Sequence, residues 1–117
     1  MAGVYIHIPF CKSFCSYCDF YSVTDCSETD AFVEAIAREA AIRSGYLDNE
    51  TVDTVYLGGG TPSLLSVEQA ERILAAVRKN FRVGIDPEIT LEVNPDDIKT
   101  GYISSLASLG VNRISVG

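Results

Sequence analysis

The run Val52-Asp53-Thr54-Val55-Tyr56-Leu57-Gly58-Gly59-Gly60-Thr61-Pro62, followed shortly by Ser66-Val67-Glu68-Gln69, decides the fold. Val52 to Leu57 is a short β-branched and aromatic stretch that ends on glycines, which is the composition of a strand. Ser66 stands three residues ahead of Gln69, the spacing of a capping box, and opens a helix expected over Ser66 to Asn80. A strand that passes through a glycine turn into an amphipathic helix is half of a parallel βαβ unit.

The same unit recurs on both sides. Gly3 to Ile8 alternates β-branched and aromatic residues until Pro9 ends it, giving a first strand. Residues 10 to 26 are dense in Cys, Ser and aromatics without a helical period, and form a loop too long for mere connection. From about Asp30 to Ser44, Phe32, Ala35, Ile36, Ala40 and Ile42 recur near a period of about 3.6, with Ser27 available as a cap and Gly45 as a stop. A third strand, Glu88 to Val93, leads through Asn94-Pro95 into a helix expected from about Asp97 to Leu109. Its Asp96-Asp97 start suits the positive end of the helix dipole, and Gly110 suits its end. Val111 to Val116 is a fourth strand. The expected architecture is α/β, with four parallel strands and three helices as the N-terminal (β/α) units of a partial TIM-type barrel. A complete barrel takes about 200 residues or more, so residues 1–117 are expected to be one domain's N-terminal portion.

Of the residues, 47% are apolar, enough to build a core, and 9 basic against 16 acidic side chains give a net charge of −7. That sign argues against a nucleic-acid partner, which is gripped by neutralising phosphates. No basic-then-apolar leader opens the chain and no apolar run approaches the roughly 20 residues of an integral membrane segment, so a soluble, cytoplasmic protein is expected. Four cysteines in that compartment point to metal ligation or redox work rather than disulfides.

Cys11-x3-Cys15-x2-Cys18 sets three thiols within one short loop, a spacing that allows a segment to wrap an iron–sulfur cubane and ligate three of its irons, leaving the fourth open. The same residues could instead form a zinc site, with His7 as a fourth ligand, or a thiol-redox pair at Cys15 and Cys18. Gly58-Gly59-Gly60-Thr61-Pro62 exposes backbone to a close ligand, or is simply a tight strand-to-helix turn. It lacks the Gly-Lys-Ser/Thr of a nucleotide-binding loop, and Ser63 occupies the place of the third glycine of a dinucleotide fingerprint. Glu92 precedes Val93-Asn94-Pro95. If Leu91 and Val93 face the helices, Glu92 faces the barrel interior and needs a partner there; on an edge strand it would sit in water. His7 reads chiefly as structural, Cys26 as a free thiol, and Phe14, Phe20 and Tyr21 as cover for the cysteine loop or ordinary core. The cysteines follow strand one, the glycines strand two, and Glu92 ends strand three, so all three groups belong to the C-terminal rim where barrel enzymes keep their sites.

Taken together, Tyr5-Ile6-His7-Ile8-Pro9-Phe10-Cys11, Cys15-Ser16-Tyr17-Cys18-Asp19-Phe20, Leu57-Gly58-Gly59-Gly60-Thr61-Pro62-Ser63, Glu92-Val93-Asn94-Pro95 and Gly110-Val111-Asn112-Arg113-Ile114-Ser115 resemble the radical SAM superfamily, in the branch of the oxygen-independent coproporphyrinogen III oxidases. Asp19-Phe20 after Cys18 resembles the HemW-type heme chaperones of that branch, where the oxidases carry Gly-Cys. The resemblance implies a radical SAM core with a [4Fe–4S] cluster on Cys11, Cys15 and Cys18, and S-adenosyl-L-methionine chelating the open iron and cleaved reductively to a 5′-deoxyadenosyl radical. It implies contacts from Gly59, Gly60 and Thr61 to the methionine moiety, from Glu92 to polar groups, from Tyr17 to the adenine, and Tyr5 near the sulfonium. It further implies heme or a porphyrinogen as ligand, and target hemoproteins as partners of a chaperone.

Overall fold

The computed structural model describes residues 2–9, 26–45 (26–29 by backbone alone), 47, 50–60, 62, 65–95 and 98–116. Four strands and three helices alternate: β1 (Ala2–Ile8), α1 (Cys26–Ile42), β2 (Val52–Gly59), α2 (Val67–Asn80), β3 (Val83–Val93), α3 (Thr100–Ser108) and β4 (Arg113–Val116). The strands form one sheet in the order β1-β2-β3-β4, every neighbouring pair parallel. This is the expected α/β architecture, and it makes β3 an interior strand rather than an edge.

Strand periodicity explains which face is buried. Ile6 and Ile8 of β1, Val55 and Leu57 of β2, and Ile89, Leu91 and Val93 of β3 point to the helix layer and are almost fully buried. They pack with Val33 of α1, Ile73, Leu74 and Val77 of α2, and Leu106 of α3 in one core. Each such aliphatic side chain contributes about 1.5–3 kcal/mol by leaving water, so this layer holds the unit together. The opposite face carries Tyr5, His7, Tyr56, Thr90, Glu92, Arg113 and Ser115. Tyr5 is registered with Tyr56, Tyr56 with Thr90, Thr90 with Arg113, and Glu92 with Ser115.

The helix ends differ from expectation in two places. α1 begins at Cys26, so Ser27 lies inside the helix instead of capping a start near Asp30. α3 begins at Thr100, with Lys99 as N-cap, no capping side chain and no acid in its first turn. Pro95 accepts a hydrogen bond from the Ile98 N–H at 3.3 Å ahead of the helix, and Asp96-Asp97, expected to open it, lie outside the described residues. Gly110 does end α3: its φ of +104°, the Gly110 N–H to Ala107 bond at 3.0 Å and the Val111 N–H to Leu106 bond at 3.2 Å form a Schellman motif. β3 is longer than expected, and β4 starts at Arg113 rather than Val111. Register jumps from Val52↔Val83 to Thr54↔Glu88, so the extra residues of β3 bulge outward and leave Ile85 fully exposed. The capping box of α2 forms as expected, with Ser66 Oγ accepting from the Gln69 N–H at 3.1 Å and Gln69 Oε1 from the Ser66 N–H at 2.8 Å.

Candidate functional site

The C-terminal ends of β1, β2 and β3 meet at one rim. β1 ends at Ile8, three residues ahead of Cys11 in the sequence, and the Ile8 carbonyl accepts a hydrogen bond from the Gly60 N–H at 2.7 Å. This bond ties the glycine turn to the last residue of β1. Cys11, Cys15, Cys18, Tyr17 and Thr61 lie outside the described residues, as do Phe14, Phe20 and Tyr21; the side chain of Cys26 does too. Among the described residues no three His, Cys, Asp or Glu side chains come together to hold a metal.

Glu92 faces away from the helix layer, as the burial of Leu91 and Val93 requires, and both of its carboxylate oxygens are hydrogen-bonded. Its Oε1 accepts from the Gly59 N–H at 3.0 Å and its Oε2 from the Tyr56 phenol at 2.6 Å. The phenol's proton is retained above its ordinary range, chiefly because it is donated to the Glu92 carboxylate, while the Ser115 hydroxyl works in the opposite sense. Gly59, Gly60, Pro62, Glu92, Asn94 and Ser115 line a cleft of about 220 Å³ at this rim. Tyr5 and His7 stand on β1 beside it, with the Tyr5 hydroxyl 3.4 Å from His7 Nδ1 and the rings of Tyr5 and Tyr56 stacked at 5.7 Å and 16°.

The glycines have internal reasons as well as a ligand-facing one. A Cβ at Gly58 would stand 2.7 Å from the Tyr56 ring and 3.0 Å from Glu92 Oε1; one at Gly59 would stand 2.6 Å from His7 Nδ1. Gly59 also has a φ of +112°, a region that side chains other than glycine's rarely adopt. Two of the three glycines are therefore needed to pack β1, β2 and β3 side by side, while Gly59 and Gly60 also border the cleft. Sequence reasoning missed Tyr56, which shares a strand face with Gly58 two residues on, and Ser115, registered beside Glu92. The first needed the β2–β3 register that brings it to Glu92, and the second the β3–β4 register.

Comparison with known proteins agrees with this geometry. Residues 5–117 match the model of the family described as the Radical SAM superfamily. Over 98% of its length the chain is 41% identical to the heme chaperone HemW of Lactococcus lactis, of which it covers 30%, and 32% identical to the oxygen-independent coproporphyrinogen III oxidase of Salmonella typhimurium, of which it covers 26%. The chain spans less than a third of the length of these curated relatives. Among solved structures, the coproporphyrinogen III oxidase HemN of Escherichia coli matches with a TM-score of 0.86 and 31% identity over 98% of this chain and 27% of that one. With a matching fold and a family model that runs from Tyr5 to Gly117, the chain belongs to the radical SAM superfamily.

Proposed function

We propose that this chain is the cluster-bearing and S-adenosylmethionine-binding part of a cytoplasmic heme chaperone, which holds heme and passes it to target hemoproteins. The observation that carries the reading is the convergence at the rim: the Gly60 N–H ties the glycine turn to Ile8 at the end of β1, three residues ahead of Cys11 in the sequence, and Glu92 reaches from β3 to Gly59. Superfamily membership implies a [4Fe–4S] cluster and S-adenosylmethionine. The described rim fits such a ligand. Ionised Glu92 accepts only, and each of its oxygens takes one protein donor and keeps a lone pair for an ammonium or ribose hydroxyl. Gly59 and Gly60 border the cleft without a Cβ to fill it.

On this reading Cys11, Cys15 and Cys18 hold the cluster. Gly59, Gly60 and Thr61 contact the methionine moiety, Glu92 binds polar groups of the cofactor, Tyr5 stands near the sulfonium and Tyr17 packs by the adenine. When bound, the cluster and S-adenosylmethionine supply one-electron chemistry at the sulfonium. The chain's own residues bind, orient and exclude water. Asp19-Phe20 after Cys18 and the likeness to heme chaperones favour heme handling; the structural likeness to a coproporphyrinogen III oxidase supports a second reading, oxidative decarboxylation of that porphyrinogen. No described helix is long and apolar enough to cross a membrane.

Anaerobic reconstitution with iron and sulfide, followed by optical spectra and metal analysis, tests the cofactor reading. A brown protein that loses its colour when Cys11, Cys15 or Cys18 is replaced by Ala is expected; a colourless protein with one zinc per chain would end it. Heme titration and an anaerobic coproporphyrinogen assay then divide the two functions. Saturable heme binding without turnover is the expected result, and formation of protoporphyrinogen would replace the chaperone with the oxidase.

A further inference from the structure

We propose that Tyr56 is a positioning residue that fixes the Glu92 carboxylate for its ligand, so that affinity for S-adenosylmethionine depends on a phenol that does not touch it. The proposal rests on the reading that Glu92 meets the cofactor. A glutamate on an open rim has three rotatable side-chain bonds and would sample many rotamers. Here one oxygen is pinned by a backbone donor, the Gly59 N–H at 3.0 Å, and the other by the Tyr56 phenol at 2.6 Å, the short separation of a charge-assisted bond. Both donors come from β2 while the carboxylate comes from β3, so the strand pairing itself sets the plane of the carboxylate. Tyr56 is held in turn by its ring stack on Tyr5 of β1.

A second observation points the same way. The contact passes directly over Gly58, where a Cβ would press on both the Tyr56 ring and the Glu92 carboxylate. Glycine at 58 keeps the path between phenol and carboxylate open. The result is a continuous chain, Tyr5 to Tyr56 to Glu92 to Gly59, that crosses three strands and ends at the cleft. The phenol's retained proton keeps the donor in place well beyond neutral pH.

The test measures S-adenosylmethionine binding by equilibrium dialysis to the cluster-reconstituted protein, with iron content recorded for each variant. Tyr56→Phe keeps the ring stack and removes only the hydroxyl; about fivefold weaker binding at unchanged iron content is expected, the worth of one such bond. Glu92→Gln is expected to cost about tenfold, because the ligand's donors lose a charged acceptor. The double variant should bind no more weakly than Glu92→Gln alone, because Tyr56 acts through that carboxylate. Gly58→Ala, which wedges the pair apart and leaves both residues in place, should reproduce the Tyr56→Phe loss. Subtracting the alkaline titration of Tyr56→Phe from that of the unsubstituted protein should show a tyrosinate forming above the usual phenol range, and closer to that range once Glu92 is Gln. Wild-type affinity in Tyr56→Phe or Gly58→Ala, with Glu92→Gln impaired, overturns the positioning role and leaves the Glu92 assignment standing. Additive losses in the double variant overturn it too, since Tyr56 would then act by itself. Wild-type affinity in Glu92→Gln removes both the cofactor assignment of Glu92 and this proposal.

Discussion

At Gly59 two independent demands fall on one residue: a φ of +112° and a backbone so close to β1 that a Cβ would meet His7 Nδ1 at 2.6 Å and the Ile8 carbonyl oxygen at 2.9 Å. A non-glycine residue forced into such a conformation costs about 1–3 kcal/mol before any clash is counted. Gly59→Ala is therefore expected to lower the unfolding free energy measured by urea denaturation by an amount in or above that range. Adding His7→Ala should recover only part of the loss, because the φ and the Ile8 carbonyl remain; full recovery would place the whole effect in the imidazole contact. The glycines and Glu92 were legible because chemistry-bearing residues at strand ends stand out from the apolar alternation. Tyr56 was not, since its partner lies 36 residues away and only the register of β2 on β3 brings the two side chains together. His7, expected to be structural, packs over Gly59 and stays exposed at the rim.

The helices show what pattern reading can and cannot deliver. The start of α2 was legible because its capping box is a local device, complete within four residues. Ser66→Ala is expected to cost about 1 kcal/mol by chemical denaturation; a neutral result would mean that water replaces the cap. The starts of α1 and α3 were missed because Ser27 and Asp96-Asp97 suit turns and caps equally well, and only the surrounding chain decides between them. β3 was read short because Gly84 and Pro87 discourage a strand locally, whereas pairing with β2 and an outward bulge accommodate both. Between α1 and α2, Arg72 grips Glu34 with two bonds at 3.0 and 3.1 Å and holds its carboxyl below the ordinary value of 4.5. A depressed carboxyl stabilises the fold above its unfolded value and loses that contribution as pH falls through the folded one. Glu34→Gln should thus show a deficit at neutral pH that is small and salt-sensitive, because both side chains are about half exposed, and that fades as pH falls below about 4.5 and is gone once pH lies below the lowered folded value. A deficit that persists in strong acid would assign it to packing instead.

Across the whole molecule the two faces of the sheet have opposite characters. The helix side is aliphatic, whereas the other side carries Tyr5, His7, Tyr56, Thr90, Glu92, Arg113 and Ser115, with an Arg113–Glu88 ion pair at 3.1 Å across β3 and β4. A barrel whose interior is only a core fills it with layers of branched aliphatic side chains. Among the described residues this face holds none at these positions, which suits a lumen occupied by a polar ligand. The lateral edges are a different matter. Among the described strands β1 and β4 each have one neighbour, so each offers a row of unpaired backbone groups. Beside β4, Ile103, Leu106, Val111 and Ile114 border an apolar cleft, and Val116 is 55% exposed; beside β1, Ile36, Ala40, Val77 and Phe81 border another. Apolar clefts flanking open strand edges favour pairing with another chain. Residues 1–117 produced alone are therefore expected to self-associate with rising concentration in sedimentation velocity. Val116→Lys, which sets a charge on the short edge strand, should shift that equilibrium toward monomer without moving the denaturation midpoint measured at high dilution. A segment that stays monomeric at every concentration would show that these edges are already covered by its own chain.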